Sequence, residues 1–165
     1  YCVNNNIPLI EDAAQSQGAV YKGIKSGAMG DISVFSFDPM KNMPSFGGGG
    51  MVLLNNEKMH KKVLSFRKDG ENNSVLSDDH ANQLLLLLDK FNKLQKMRKK
   101  IYQRYKENLP DVHFLVDEKG KPSFHKLVMI TDNRDGLRKH LAESGVETKI
   151  HYNKILDQEY AGLYT

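Results

Sequence analysis

The stretch 31-DISVFSFDPMKNM-43 decides the fold, because it joins a strand-like run directly to a single lysine. Residues 32–37 are rich in β-branched and aromatic side chains, which is typical of a buried strand. Asp38 and Pro39 end the run, and Lys41 follows at once. Lysine is rarely buried, so the default interpretation of Lys41 is a solvated surface residue. The alternative is a lysine that the end of the strand holds in a pocket for chemistry.

Two further apolar runs accompany this strand. Residues 7–10 form a short run that ends beside Asp12, and residues 51–54 form another. In open α/β sheets, ligands bind at the carboxyl ends of the strands. If the first two strands are parallel neighbours, Asp12, Ser36 and Lys41 meet at one edge of the sheet. A lysine that condenses with an aldehyde must be neutral part of the time, and burial at such an edge favours the neutral form.

The glycine cluster at 47–50 resembles a phosphate-binding loop only superficially. No Gly-Lys-Ser/Thr follows it, so the P-loop pattern is incomplete. We expect these glycines to serve a backbone that needs positive φ or close packing.

A long helix divides the chain. Ser77 is a good N-cap, and Asp78 in the first turn favours the positive end of the helix. The sequence then has no glycine or proline until Pro110, so the helix is predicted to end near Asn108. The other predicted elements are a helix at 57–67, a polar loop at 69–73, strands at 113–116, 124–130 and 147–151, and a helix at 134–144 that ends at Gly145.

The bulk composition excludes several classes of protein. The 165 residues are 39% hydrophobic and 27% charged, which is a globular composition. The net charge of +4 is too small for a nucleic-acid-binding surface, and the lysine-rich stretch 90–106 is expected to be a solvated helix face. The longest apolar run, 84–88, is too short to cross a membrane. We therefore expect neither nucleic acid nor membrane as a partner.

Cysteine and histidine usage gives two more expectations. The single cysteine fits a reducing, cytoplasmic compartment. The histidines lack metal-ligand spacing, so we predict no metal site. The chain opens without an initiator methionine or a signal peptide, which we interpret as an internal part of a longer protein.

Four motifs give a more specific indication than these patterns. They are IEDAAQ at 10–15, GDI at 30–32, FSFDPMKN at 35–42 and FGGGG at 46–50. In order, spacing and residue type they resemble the DegT/StrS-type (DegT/DnrJ/EryC/StrS) nucleotide-sugar aminotransferases, which are fold type I pyridoxal-phosphate enzymes. Weaker likeness continues through 66–70, 73–74 and 83–105, and it strengthens again at 125–128, 134–138 and 145–152.

The resemblance implies an α/β fold, namely part of a fold type I aminotransferase. Residues 1–76 are then the C-terminal portion of the large, mixed-sheet domain that binds pyridoxal phosphate. Residues 77–165 are the long connecting helix and a small C-terminal α+β domain, incomplete at its end. The family's phosphate cup and its ring-stacking group would lie before Tyr1, so this chain alone is expected to be inactive.

The resemblance also implies roles for individual residues. Lys41 is the lysine that bonds to the cofactor aldehyde and the base that moves a proton between sugar and cofactor. Asp12 faces the pyridine nitrogen and keeps it protonated, although an aspartate there could instead cap a helix. Gln15 lies near the phenolic oxygen. Ser36 holds the phosphate, although its hydroxyl could also bond only to backbone.

Further implied contacts come from the second half of the chain and from a partner subunit. Asn73 matches the asparagine that reaches the phosphate bound by the other subunit of a homodimer. Val75 departs from the family, which usually has Lys or Arg there, and this departure puts that contact in doubt. The residues that fall where the family binds its nucleotide-sugar are Lys149, His151 and Tyr152.

The function implied is transamination in amino-sugar and surface-polysaccharide biosynthesis. Glutamate would donate nitrogen to a keto group of a nucleoside-diphosphate sugar, with pyridoxal 5'-phosphate as cofactor. One alternative is a sugar dehydratase-type relative, but such relatives generally have histidine at the position of Lys41. Another is a truncated, non-catalytic binding subunit, which Val75 suggests. A nucleic-acid-binding module would require a steep salt dependence of affinity.

Overall fold

A computed structural model describes residues 1–69, 75–117 and 119–152. The strands and helices are, in chain order, β1 (Ile10–Asp12), β2 (Val20–Tyr21), β3 (Ile24–Lys25), β4 (Ile32–Ser36), β5 (Gly50–Leu54), α1 (Glu57–Asp69), α2 (Asp78–Asn108), β6 (His113–Phe114), β7 (Met129–Ile130) and α3 (Arg134–Glu143). The chain forms two compact units, Tyr1–Met129 and Ile130–Thr165. The assignment of residues 1–76 and 77–165 to two domains of the whole protein stays a prediction.

Three strands form the main sheet, in the order β1-β4-β5. β1 runs parallel to β4, with Ile10 opposite Ile32 and Asp12 opposite Val34. β5 runs antiparallel to β4, with Ser36 opposite Gly50. The sheet is therefore mixed, and its central strand is the one predicted from residues 31–37.

The first strand begins later than the apolar run at 7–10 predicts. Pro8 has no N–H to give to a ladder. Leu9 is held instead by Asp31, whose carboxylate accepts the Leu9 N–H at 2.8 Å and whose own N–H donates to the Leu9 carbonyl at 2.8 Å. These bonds place the paired segment at Ile10–Asp12, so that Asp12 is the last residue of the strand.

Both outer strands of this sheet carry exposed apolar side chains. Ile10 on β1 is 67% exposed, and Met51 and Val52 on β5 are 48% and 46% exposed. In the described part of the chain, β1 and β5 each have only β4 as a ladder partner. Among the described residues, both outer strands thus have an open edge, and each exposes at least one apolar side chain.

A hairpin follows β1. β2 and β3 pair antiparallel, with Tyr21 opposite Ile24. The two residues between them, Lys22 and Gly23, have φ of 48° and 82°. Two successive positive φ values are the signature of a type I′ turn, whose twist matches that of a hairpin. Lys22 and Gly23 therefore form the turn of this hairpin.

Helix α2 forms as the sequence predicts. The Ser77 side chain accepts the His80 N–H at 3.4 Å and caps the helix, which runs to Asn108. Leu84 is buried on its inner face. Farther along, the Tyr102 ring lies 6.1 Å from Phe114 and 5.0 Å from Phe124, centroid to centroid. No helix among the described residues is long and apolar enough to cross a membrane.

The strands predicted after α2 are shorter than expected or do not form. Of the predicted strand 113–116, only His113–Phe114 is assigned, and of 124–130 only Met129–Ile130. Phe124 has a φ of 49°, which is incompatible with a strand. The strand predicted at 147–151 is wrong: these residues belong to no ladder in the described chain, and apolar alternation without a partner strand does not make a strand.

Candidate active site

Two predicted site residues lie at the same end of the parallel strand pair. Asp12 is the last residue of β1, and Ser36 is the last residue of β4. The register places Asp12 opposite Val34, only two positions before Ser36. The predicted meeting of the first two strand ends at one sheet edge is therefore what the structure has. The individual roles of these residues stay predictions.

Asp12 shapes a turn rather than capping a helix. Its Oδ1 accepts the Ala14 N–H at 3.0 Å, a local bond that turns the chain away from the strand. Ala13 is fully buried, and its N–H donates to the Val34 carbonyl at 2.9 Å. The Asp12 carboxylate is exposed at the sheet edge, so its second oxygen is in a position to accept a further donor.

The segment from Ser36 to Lys41 is a chain of tight turns. The Ser36 hydroxyl accepts the Asp38 N–H at 3.3 Å, and Asp38 Oδ1 accepts the Met40 N–H at 2.9 Å. The Lys41 N–H then donates to the Asp38 carbonyl at 2.9 Å. These bonds fold the loop back on itself, and Lys41 is half-buried rather than fully solvated. The pocket interpretation of Lys41 stays a prediction.

Gln17, for which the sequence predicted no role, bonds directly to this loop. Gln15, the predicted contact to the cofactor, is exposed, and its carbonyl accepts the Ser123 hydroxyl at 3.0 Å. Gln17 is only 5% exposed. Its Nε2 donates to the Ser36 carbonyl at 2.8 Å, and its Oε1 accepts the Met43 N–H at 3.0 Å. No local sequence signal distinguishes the two glutamines, because the partners of Gln17 lie far along the chain.

The glycine cluster packs against the start of α2. A Cβ on Gly47 would lie 2.2 Å from His80 Cε1, and Gly49 has a φ of 135°. Gln83 ties the same segment to α2, since its Oε1 accepts the Phe46 N–H at 3.0 Å and its Nε2 donates to the Pro44 carbonyl at 3.4 Å. These observations confirm the prediction that the glycines allow close packing and a backbone with positive φ.

Glu11 anchors the loop before β4. Its carboxylate accepts the Gly27 N–H at 2.8 Å, the Met29 N–H at 2.9 Å and the Ser33 hydroxyl at 3.1 Å. Burial alone would raise the pKa of Glu11, but the bonds from Gly27, Met29 and Ser33 outweigh it and hold the pKa below its ordinary value of 4.5. Glu11 therefore stays ionised and stabilises the fold.

The remaining predicted site residues lie elsewhere. Asn73 falls outside the described residues. Val75 is 66% exposed. Lys149, His151 and Tyr152 belong to the second compact unit, where the His151 and Tyr152 rings lie 5.6 Å apart. In the described ranges, no group of three or more His, Cys, Asp or Glu side chains could hold a metal ion; the lack of a metal site stays a prediction.

The donor set at the sheet edge fits pyridoxal phosphate. A primary amine, a carboxylate and a hydroxyl are the groups needed to bond an aldehyde, pair with a protonated pyridine nitrogen and donate to a phosphate. Lys41, Asp12 and Ser36 supply one of each, from two neighbouring strand ends and the loop that follows the second. Lys41 is half-buried, and its covalent role stays a prediction.

Comparisons with known proteins bear on the family and the fold of the chain. The family model described as "DegT/DnrJ/EryC1/StrS aminotransferase family" matches residues 1–164. The chain is 31% identical, over 90% of its length, to the dTDP-3-amino-3,4,6-trideoxy-alpha-D-glucose transaminase of Streptomyces venezuelae, of which it covers 43%. It thus spans less than half the length of the curated relatives that it matches first.

Solved structures give the same result for the fold. An aminotransferase of this family from Brucella abortus matches with a TM-score of 0.88 and 28% identity, over 99% of this chain and 47% of that one. The PLP-form of a sugar aminotransferase from Streptococcus pneumoniae, Spr1654, matches with a TM-score of 0.81 and 25% identity, over 94% of this chain and 47% of the other.

Proposed function

This chain belongs to the DegT/DnrJ/EryC1/StrS aminotransferase family, and from that premise we propose that the whole protein is a pyridoxal-phosphate-dependent nucleotide-sugar aminotransferase. Its membership confirms the resemblance seen in the motifs. The reaction proposed is transfer of an amino group to a keto group of a nucleoside-diphosphate sugar, with glutamate as the donor. The support for the substrate class is that relatives such as the S. venezuelae transaminase are named for nucleotide-linked amino sugars.

One observation carries the proposal, namely the placement of Lys41 beside two parallel strand ends. Asp12 and Ser36 end these strands, and the short bonded loop after Ser36 delivers Lys41 to the same edge. The presence of a carboxylate and a hydroxyl at these strand ends, with an amine on the loop that follows, supports the proposal.

Each of these residues has a defined task in the proposed reaction. Bound pyridoxal phosphate supplies an aldehyde and an electron-accepting ring. Asp12 would pair with the ring nitrogen and favour its protonated form, and the Ser36 hydroxyl would donate to the phosphate. Lys41 would hold the aldehyde through Nζ, and the free amine would be the base that moves a proton during amino transfer. Gln15 would contact the ring's oxygen, and Lys149, His151 and Tyr152 would contact the nucleotide-sugar.

The assembly and location form part of the same proposal. A homodimer would place Asn73 of one subunit at the phosphate of the other, as the family resemblance implies. The cytoplasmic location rests on the single cysteine. Residues beyond this chain would complete the phosphate site.

The test is a comparison of two lysine variants of the whole protein. Lys41→Ala is expected to lose the absorbance of covalently held cofactor and about 10³-fold or more of the glutamate-dependent amination rate. Lys58→Ala, an exposed lysine on α1, is the matched control and is expected to keep both. Persistence of the absorbance band or of the activity in Lys41→Ala would contradict the proposal.

A further inference from the structure

The residue next to Lys41 is buried although it is polar. Asn42 is 5% exposed, whereas Lys41 is half-buried. Burying an amide costs free energy unless its donors and acceptor are bonded. The question is therefore which groups bond to Asn42 and what they fix.

Three residues from two separate segments bond to the Asn42 side chain. Its Nδ2 donates to the Ser123 carbonyl at 3.0 Å and to the Gln17 carbonyl at 3.4 Å, and its Oδ1 lies 3.1 Å from His125 Nδ1. Two carbonyl partners require the NH₂ group on their side, which fixes the orientation of the amide. Because Oδ1 can only accept, His125 Nδ1 is the donor.

Gln17 extends this network around both ends of the Lys41 loop. Its side chain bonds to the Ser36 carbonyl before the loop and to the Met43 N–H after it. Its own carbonyl also accepts Gln95 Nε2 at 2.7 Å, which ties it to α2. The Gln17 side chain thus holds the backbone at Ser36 and Met43, on either side of Lys41. The Asn42 side chain holds the loop at a third position, directly after Lys41.

Phe124 gives an independent observation at the same place. Its φ of 49° is a left-handed conformation, which is an outlier for a bulky residue. Such strain persists only where the surrounding structure imposes it. Here the turn brings the Ser123 carbonyl and His125 Nδ1, on either side of Phe124, to the same Asn42 side chain.

We propose that Asn42 is the positioning residue of Lys41: its bonds to Gln17, Ser123 and His125 fix the backbone from which the reactive amine projects. The importance of this positioning for catalysis rests on the proposed function. The hydrogen-bond network is independent of that function, because every bond in it joins residues of this chain. Asn42 acts through the position of Lys41. Its loss is therefore expected to change the reactivity of that lysine in protein that still folds.

The first experiment uses no cofactor chemistry. The whole protein, freed of pyridoxal phosphate, is labelled with a lysine-acylating reagent, and mass spectrometry gives the ratio of labelling at Lys41 to that at Lys58. Asn42→Ala is expected to change this ratio at least threefold, because the loop loses its anchor. Asn92→Ala, an exposed asparagine on α2, is the matched control and is expected to leave the ratio unchanged. An unchanged ratio in folded Asn42→Ala would overturn the proposal.

A second variant keeps the test decisive if Asn42→Ala fails to fold. Asn42→Asp keeps the size and the acceptor for His125 but removes the donor to both carbonyls. It is expected to change the labelling ratio in the same direction, and an unchanged ratio would again overturn the proposal. In the holoenzyme, Asn42→Asp is expected to lower kcat about tenfold with little change in KM for glutamate; a change in KM alone would contradict a positioning role.

The two proposals fail separately. If Asn42 variants change Lys41 labelling but the whole protein aminates no nucleotide-sugar, the proposed function fails and the positioning network stands. If Lys41→Ala abolishes amination but Asn42 variants leave the labelling ratio unchanged, the positioning proposal fails and the proposed function stands.

Discussion

The Glu11 side chain is half-buried and the Gln17 side chain is buried. Both bond to irregular chain segments beside the same sheet, but to different segments. The bonds of Glu11 go to residues 27–33, before and within β4. Those of Gln17 go to Ser36 and Met43, on either side of Lys41. Glu11 is a charged acceptor, and Gln17 is a neutral donor and acceptor. One therefore stabilises the fold in a pH-dependent way, and the other fixes the loop of the proposed site without depending on pH.

The largest effect on stability is expected from Gln17→Ala. Two buried backbone groups, the Ser36 carbonyl and the Met43 N–H, would lose their partner, and each such loss costs about 1–3 kcal/mol. We expect the free energy of unfolding to fall by about 2–4 kcal/mol, equally at pH 4 and pH 7. Urea denaturation followed by circular dichroism measures it. Gln103→Ala, an exposed glutamine on α2, is the control and is expected to cost well under 1 kcal/mol.

A glycine pair separates backbone strain from damage to the Gln17 cluster. Gly18 and Gly23 have nearly equal φ of 84° and 82°, but a Cβ on Gly23 would meet nothing within 4 Å. A Cβ on Gly18 would lie 2.3 Å from Gln95 Nε2, which already donates to the Gln17 carbonyl. We expect Gly18→Ala to lower the free energy of unfolding by about 1 kcal/mol more than Gly23→Ala does. This difference corresponds to the loss of one hydrogen bond, from Gln95 Nε2 to the Gln17 carbonyl. Equal losses in the two variants would mean that Gln95 moves away without cost.

The smallest effect is expected from Glu11→Gln, and it depends on pH. The folded pKa of Glu11 lies below the unfolded value of 4.5, so its contribution to stability is fully present above pH 4.5 and is lost as the pH falls through the folded pKa. Glu11→Gln is expected to reduce stability at pH 7 by about 1 kcal/mol and to flatten the rise of stability with pH below 4.5. Urea denaturation at a series of pH values from 2.5 to 7 measures the free energy of unfolding at each pH. If its slope against pH below 4.5 is unchanged in Glu11→Gln, Glu11 is not the source of that slope.

Local patterns predicted the elements whose signals are local. The N-cap at Ser77 and the helix to Asn108 follow from capping and helix punctuation. Parallel pairing of the first two strands was the condition for bringing Asp12 and Ser36 together, and the structure meets it. The family and the α/β fold class, inferred from four motifs, are confirmed by the family model and by the solved structures. The motifs also pointed to the strand ends where Asp12 and Ser36 lie.

What the sequence could not reveal depends on distant contacts. Asn42 bonds to residues 81 and 83 positions away, so its burial has no local signature. The same contacts explain the wrong strand extent at 124–130, because the left-handed turn at Phe124 serves Asn42 instead of a ladder. Gln17 was not predicted for the same reason, because its bonded partners lie 19 and 26 positions away, while the cofactor contact of Gln15 stays a prediction.

The open edges of β1 and β5 have a practical consequence for anyone handling this chain. A strand with unpaired N–H and C=O groups and apolar side chains is a template for adding further strands from neighbouring molecules. Ile10, Met51 and Val52 lie on such strands. Expressed by itself, the 165-residue polypeptide is therefore prone to oligomerise edge to edge as its concentration rises, and a lysine placed at Val52 is the substitution that best blocks this growth.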